Sequence, residues 1–206
     1  MNSKAPTAKK DTNKGDTNTN SKQQRQDSNN AKANQTNGST RKRVTIVGDS
    51  ILNGIYEEGL QKAHNVRVKP HSGATTTDIV DYLKPVIRKK PDCIIIHAGT
   101  NDLTSNEQID TMANLNTMIE NIRNESPEMV IALSNVVTRK DKAAREKKVS
   151  VSDMNKKIKE FAKVKKIELI DNSNLDTSCL SRRMLHMNDK GNSYLANNFI
   201  NFMKTL

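Results

Sequence analysis

Cys93-Ile94-Ile95-Ile96-His97 is an apolar run with no polar break before its last residue. A strand that is apolar on both faces belongs in the middle of a parallel sheet, where helices cover it from either side. Parallel neighbours need long crossovers, and helices supply them. The sequence from residue 44 has that alternation. Val44-Thr45-Ile46-Val47 reads as a first strand, followed by a segment of helical spacing from Ile51 to Leu60. Val66-Arg67-Val68 is a second strand, and Thr77 to Lys89 a helix with Ile79, Val80, Leu83, Val86 and Ile87 on its apolar side. After the Cys93–His97 run, Ile109, Met112, Leu115, Ile119 and Ile122 form the stripe of a long amphipathic helix. Met129 to Val137 is a fourth strand, Met154, Ile158 and Phe161 mark a helix, Ile167 to Ile170 is a fifth strand, and Tyr194 to Met203 a closing helix. Five strands separated by helices predict an α/β, doubly wound, three-layer parallel sheet.

Charge and polarity divide the chain unevenly. Of its 206 residues and net charge of +11, the first 43 residues carry +7 and contain no Leu, Ile, Val, Phe, Tyr or Trp. Such a segment buries too little apolar surface to offset the entropy of ordering it. The expected organisation is a disordered basic polar tail over 1–42 and a folded domain over 43–206. The tail is either a solvating linker or a weak RNA contact through phosphates, its positive charge being dilute until Arg41-Lys42-Arg43.

Several function classes are disfavoured at once. No run approaches the about 20 apolar residues of a membrane span, and no apolar signal-peptide core stands at the start. Cys93 and Cys179 lack metal-ligand spacing, Cys93 reads as a small core residue, and the expected setting is reducing and cytoplasmic. Aromatic residues are only 3% of the chain, which argues against base-stacking recognition in the folded part. No phosphate-binding glycine signature is present, so neither a cofactor nor a metal is expected.

In a doubly wound sheet the site lies at the carboxyl ends of the strands. Three turn sequences fall there: Gly48-Asp49-Ser50, His71-Ser72-Gly73 and Gly99-Thr100-Asn101-Asp102. Ser50 is placed beside a helix start, where unpaired N–H groups and the dipole favour negative charge. The plain alternative is a Ser that only caps its helix. Gly99 permits a tight turn and Asn101 brings an N–H₂ donor, suited to an oxyanion hole, as is a backbone N–H at Gly73. A serine nucleophile needs a base. His186, before the last helix, is the candidate, because His64 is read into a linker and His71 and His97 into packing or orienting positions.

Gly48-Asp49-Ser50, Gly73, Gly99-Thr100-Asn101-Asp102 and His186-x-Asn188-x-x-Gly191 together resemble the four blocks of the SGNH (GDSL-type) hydrolases, in order and spacing, across 43–206. The resemblance implies a flavodoxin-like sheet of five parallel strands and a serine esterase acting on an acetyl or other short O-acyl ester. It makes Ser50 the nucleophile, His186 the general base, and Ser50 N–H, Gly73 N–H and the Asn101 side chain the oxyanion donors. The wording of Ile94–Leu103, Arg139-Lys140-Asp141 and His186–Asn192 also resembles the esterase-like domains carried by LINE-type retrotransposons in invertebrates.

One position departs from the family pattern. Three residues before the His, where an Asp usually holds the imidazole, this chain has Arg183. A cation there opposes imidazolium formation. The readings left open are a Ser-His dyad, an acid supplied by Asp171 or Asp176 after the fifth strand, and a weakened or inactive module of a mobile element that binds RNA through its tail.

Overall fold

The apolar run becomes strand β3 (Cys93–His97), every residue of which is buried. It is the middle of a five-stranded sheet with β1 (Arg43–Gly48), β2 (Asn65–Pro70), β4 (Val130–Ser134) and β5 (Glu168–Ile170) in the order β2-β1-β3-β4-β5. All four pairings are parallel. The computed structural model describes residues 41–206. The tail expected over 1–42 therefore lies, except for its last two residues, outside the described residues. Arg41 donates to the Gln61 carbonyl at 2.5 Å, and the N–H of Lys42 donates to His64 Nδ1 at 3.3 Å.

Alternation along the strands sends side chains to two helical layers. Val44, Ile46, Cys93 and Ile95 pack with Leu195, Phe199 and Met203 of α6 (Asp189–Met203). Ile94, Ile96, Ile131 and Leu133 pack under α2 (Thr76–Ile87), α3 (Thr111–Glu125) and α5 (Val151–Lys165), through Leu83, Ile119 and Ile158 among others. The fold is thus the three-layer α/β arrangement expected. Both cysteines are buried and free, and burial pushes the Cys93 thiol up to about 12, so it behaves as a core residue. Among the described residues no helix is long and apolar enough to cross a membrane.

Two expectations need correction, and one element is new. The helix expected over Ile51–Leu60 is a 3-10 turn, Ser50–Gly54, an extended Ile55, and a four-residue helix α1 (Glu57–Leu60). The turn ends at Gly54, where the Asn192 amide of α6 lies so close that a Cβ would stand 2.2 Å from its Nδ2. The fourth strand stops at Ser134, because the side-chain amide of Asn155 takes both the N–H and the carbonyl of Val136 in place of a neighbouring strand. A short helix, α4 (Lys142–Glu146), occupies a stretch with no assigned element.

Register is what levels the carboxyl edge of the sheet. Gly48 pairs with His97 on one side and Pro70 on the other, so the turns leaving β1, β2 and β3 start side by side. At that point β1 and β3 are in close approach: a Cβ on Gly48 would fall 2.0 Å from the His97 carbonyl oxygen. We expect Gly48→Ala to lower stability by about 1–3 kcal/mol, since a backbone atom cannot step aside. Gly59→Ala, whose Cβ meets nothing, is the control and is expected to stabilise by roughly 0.5–1 kcal/mol. Denaturant midpoints at constant slope measure both.

Candidate active site

Asp49, not Ser50, caps the turn. Its side chain is fully buried and accepts from Ile51 N–H at 3.0 Å, while its own N–H donates to the His97 carbonyl at 3.2 Å. The reading of Ser50 as a helix cap is therefore overturned. Ser50 is partly exposed, and its hydroxyl makes no hydrogen bond among the described residues. The turn runs only from Ser50 to Gly54, so what stands beside Ser50 is a set of local N–H groups and not the dipole of a long helix.

Hydrogen bonds lace the three turns together. His71 N–H donates to the Gly48 carbonyl at 2.8 Å, and Asn53 Nδ2 to Ser72 Oγ at 3.1 Å. Asn101 Nδ2 donates one of its two hydrogens to the Ala74 carbonyl at 2.8 Å, which sets its amide beside Gly73. Gly73 has φ +78° with open space around it, the left-handed conformation glycine adopts without strain. Asp102 anchors the third turn: its carboxylate accepts from the N–H and hydroxyl of Thr76, at the start of α2, and from the Thr111 hydroxyl. Sequence reasoning treated Asp102 only as part of a motif. Its position at the foot of α2 also places a carboxylate at a positive helix end.

The histidine block is built differently. Residues 180–187 form a hairpin joined by an antiparallel bridge between Leu180 and Met187, with Ser181 N–H donating to the His186 carbonyl at 2.8 Å. Asn188 is the N-cap of α6, accepting from Gly191 N–H at 2.9 Å, and its Nδ2 donates to the carbonyls of Ser178 and Leu180. Gly191 lies against Cys179, whose carbonyl oxygen is 2.3 Å from where a Cβ would be. These contacts explain the His-x-Asn-x-x-Gly spacing: Asn and Gly fix the hairpin that carries His186. Because Asn192 touches Gly54, the start of α6 abuts the turn that begins at Ser50.

His186 is exposed, and no hydrogen bond joins its ring to Ser50 or to any described residue. Such bonds commonly tighten only when substrate is bound. Arg183 is exposed at the tip of the hairpin. Asp171 accepts from Ser173 and Asn135, and Asp176 from Ser178 N–H and hydroxyl, so each carboxylate is engaged in its own turn and held below its ordinary pKa by those bonds.

The remaining histidines are structural. His64 accepts from Lys42 N–H at Nδ1, which leaves Nε2 to donate to the Met203 carbonyl at 2.9 Å and tie down the end of α6. His71 stacks on Tyr82 with ring centroids 4.2 Å apart, and burial, followed by the nearby Lys69 charge, lowers its pKa. His97 is fully buried against Ser134 Oγ at 3.0 Å, and burial favours its neutral form. Among the described residues no group of three His, Cys, Asp or Glu is placed to hold a metal.

One charged pair, Arg139 and Asp141, is marked in the sequence only by its wording and not as a buried pair. Arg139 is buried and grips Asp141 through two bonds of 2.8 and 2.9 Å, which hold the Asp141 carboxyl below the usual carboxylate range. A depressed folded-state pKa means stability that is present above the ordinary value of 3.8 and lost as pH falls through the depressed one. Asp141→Asn should therefore cost about 1–3 kcal/mol at pH 7, with the difference from the parent closing in acid. Urea titrations at neutral and acid pH check this.

Comparison with known proteins bears on the fold and the family. The GDSL-like lipase/acylhydrolase family matches residues 46–194. A lipase/acylhydrolase from Enterococcus faecalis superposes with a TM-score of 0.67 at 22% identity, covering 80% of this chain and 96% of that one. A GDSL-like lipase from Bacteroides thetaiotaomicron gives 0.66 at 18%, covering 80% and 88%. A catalytic mutant of an acetylxylan esterase from Geobacillus stearothermophilus gives 0.61 at 18%, covering 78% and 93%. No curated protein matches the chain. With the family match spanning all four motif blocks up to the start of the last helix, the chain belongs to the GDSL-like lipase/acylhydrolase family.

Proposed function

We propose that this protein is a serine esterase for acetyl or other short O-acyl esters, working through a Ser50–His186 dyad. The observation that carries the reading is the free Ser50 hydroxyl: Asp49 supplies the cap, so a serine at the carboxyl edge of the sheet is left without a structural task. His186 takes the proton as Ser50 Oγ attacks the acyl carbon. The oxyanion is received by the N–H groups of Ser50 and Gly73 and by the second Nδ2 hydrogen of Asn101. His186 then returns the proton to the departing alkoxide; water, deprotonated by the same ring, attacks the acyl carbon, and the ring passes that proton to Ser50 Oγ as it leaves.

The dyad form is favoured because Asp171 and Asp176 are both committed to local turns and Arg183 stands where the family has its acid. Such a dyad has a lowered rate, because nothing orients the imidazole. The second reading rests on the same Arg183: a weakened or inactive module of a mobile element, whose tail over 1–42, outside the described residues apart from Arg41 and Lys42, contacts RNA.

A serine-directed fluorophosphonate tests the first reading. It is expected to label Ser50, with Ser50→Ala unlabelled and a chromogenic acetyl ester turned over by the parent alone. Absence of both labelling and turnover in folded protein overturns it. Arg183→Asp is expected to raise the rate at neutral pH, toward the about 10⁴-fold that an orienting acid supplies in the serine-protease template. His186→Ala should abolish turnover with either residue at 183. Should Asp171→Asn or Asp176→Asn be crippling instead, the acid is supplied from there and the dyad is wrong.

A further inference from the structure

Arg139 has only 3% of its side chain exposed, and the chemistry above makes no use of it. A buried charge is costly unless it is paired and fully hydrogen bonded. Arg139 meets that condition in a particular way. Nε and Nη2 grip the two oxygens of Asp141, and Nη1 donates at 2.7 Å to the carbonyl of Thr100. Thr100 stands between Gly99, at φ +109°, and Asn101. The peptide unit is planar, so fixing the direction of the Thr100 carbonyl fixes the Asn101 nitrogen with it and limits where the Asn101 side chain can point. The far side of that residue is held by the bond from Nδ2 to the Ala74 carbonyl. The neighbouring Lys140 N–H donates to the Met184 carbonyl at 2.8 Å, in the hairpin that carries His186.

We propose that Arg139, locked by Asp141, is a positioning residue that aims the Asn101 amide at the oxyanion, through its bond to the Thr100 carbonyl. The inference rests on the esterase reading. The fork matters more than the charge: a lysine ammonium has no planar pair of donors to hold both carboxylate oxygens and still reach the Thr100 carbonyl. A misplacement on the order of 1 Å in such a site is worth about a hundredfold in rate.

The test is a double-mutant cycle with a chromogenic acetyl ester. Arg139→Lys is expected to lower kcat by about ten- to a hundredfold with KM within about twofold, because the loss falls on the transition state. Asn101→Ala alone should cost about 10²–10³. In the Asn101→Ala background, Arg139→Lys should add less than about twofold, since the group it aims is gone. A merely structural role gives equal losses in both backgrounds, and that result overturns the proposal. So does a raised KM at unchanged kcat. If Arg139→Lys fails to fold, Asp141→Asn runs the same cycle, with a smaller fall expected on the Asn101 background of the parent and none on Asn101→Ala. A parent protein that is neither labelled nor active overturns the esterase reading and this inference together; an active parent with additive losses overturns the inference alone.

Discussion

The close approach of β1 and β3 at Gly48 is the constraint on which the functional edge depends. With no Cβ at that position, the His97 carbonyl can sit where a side chain would begin and accept the Asp49 N–H. That one bond turns the chain out of the sheet at a defined residue. Asp49 is then buried and forced to find donors, and the nearest is Ile51 N–H. The capping demand of the turn is met by Asp49, and Ser50 is released from it. A glycine, a capping acid and a free hydroxyl in succession are therefore consequences of a single backbone contact, and each would lose its role in another order.

Behind this edge the sheet carries polar rather than apolar groups. His97 is bonded to Ser134, Ser134 to Asn172, and Asn172 to Asn198 of α6, a buried chain that runs from the motif turn toward the helical layer. Buried hydrogen-bonded networks specify one arrangement, because each member left unpaired costs about 1–3 kcal/mol.

What the sequence made legible follows from how many structures fit each pattern. The run Cys93–His97 has a single solution, and the strand covers those five residues without displacement. The spacing of Ile51, Leu52, Ile55 and Leu60 fits a helix equally with a 3-10 turn and a break, and the surface this segment packs on, at Asn192, comes from the far end of the chain. Asp49 and Ser50 are both good caps, so their order alone left the Ser50 role open. Arg139 and Asp141 were beyond reach for another reason. Charged residues in a loop read as solvent-exposed, and only the three-dimensional packing shows a guanidinium at 3% exposure. Asn188 and Gly191 were recognisable as motif letters, but not as the cap and the close contact that explain those letters.

The departure at Arg183 has a physical reading that follows from the hairpin. In a triad, the acid must lie beside the imidazole and be held there, because a carboxylate that is free to move orients nothing. Arg182 and Arg183 are exposed at the hairpin tip, while Met184, at φ +60°, packs against the core, so the side chain turned inward here is apolar and not a carboxylate. The fixed points of this segment lie at its base instead: the Leu180–Met187 bridge, the Ser181–His186 bond and the Asn188 cap. His186 is consequently positioned through its backbone, by the elements below it, and its ring is left to be oriented by whatever occupies the site. In the proposed dyad, the base is therefore the less constrained partner, and the oxyanion donors are the more constrained one. Of the proposed donors, the one most tightly built into the fold is Asn101, bonded to the Ala74 carbonyl through its side chain and followed back along its own peptide to the Thr100 carbonyl that Arg139 holds.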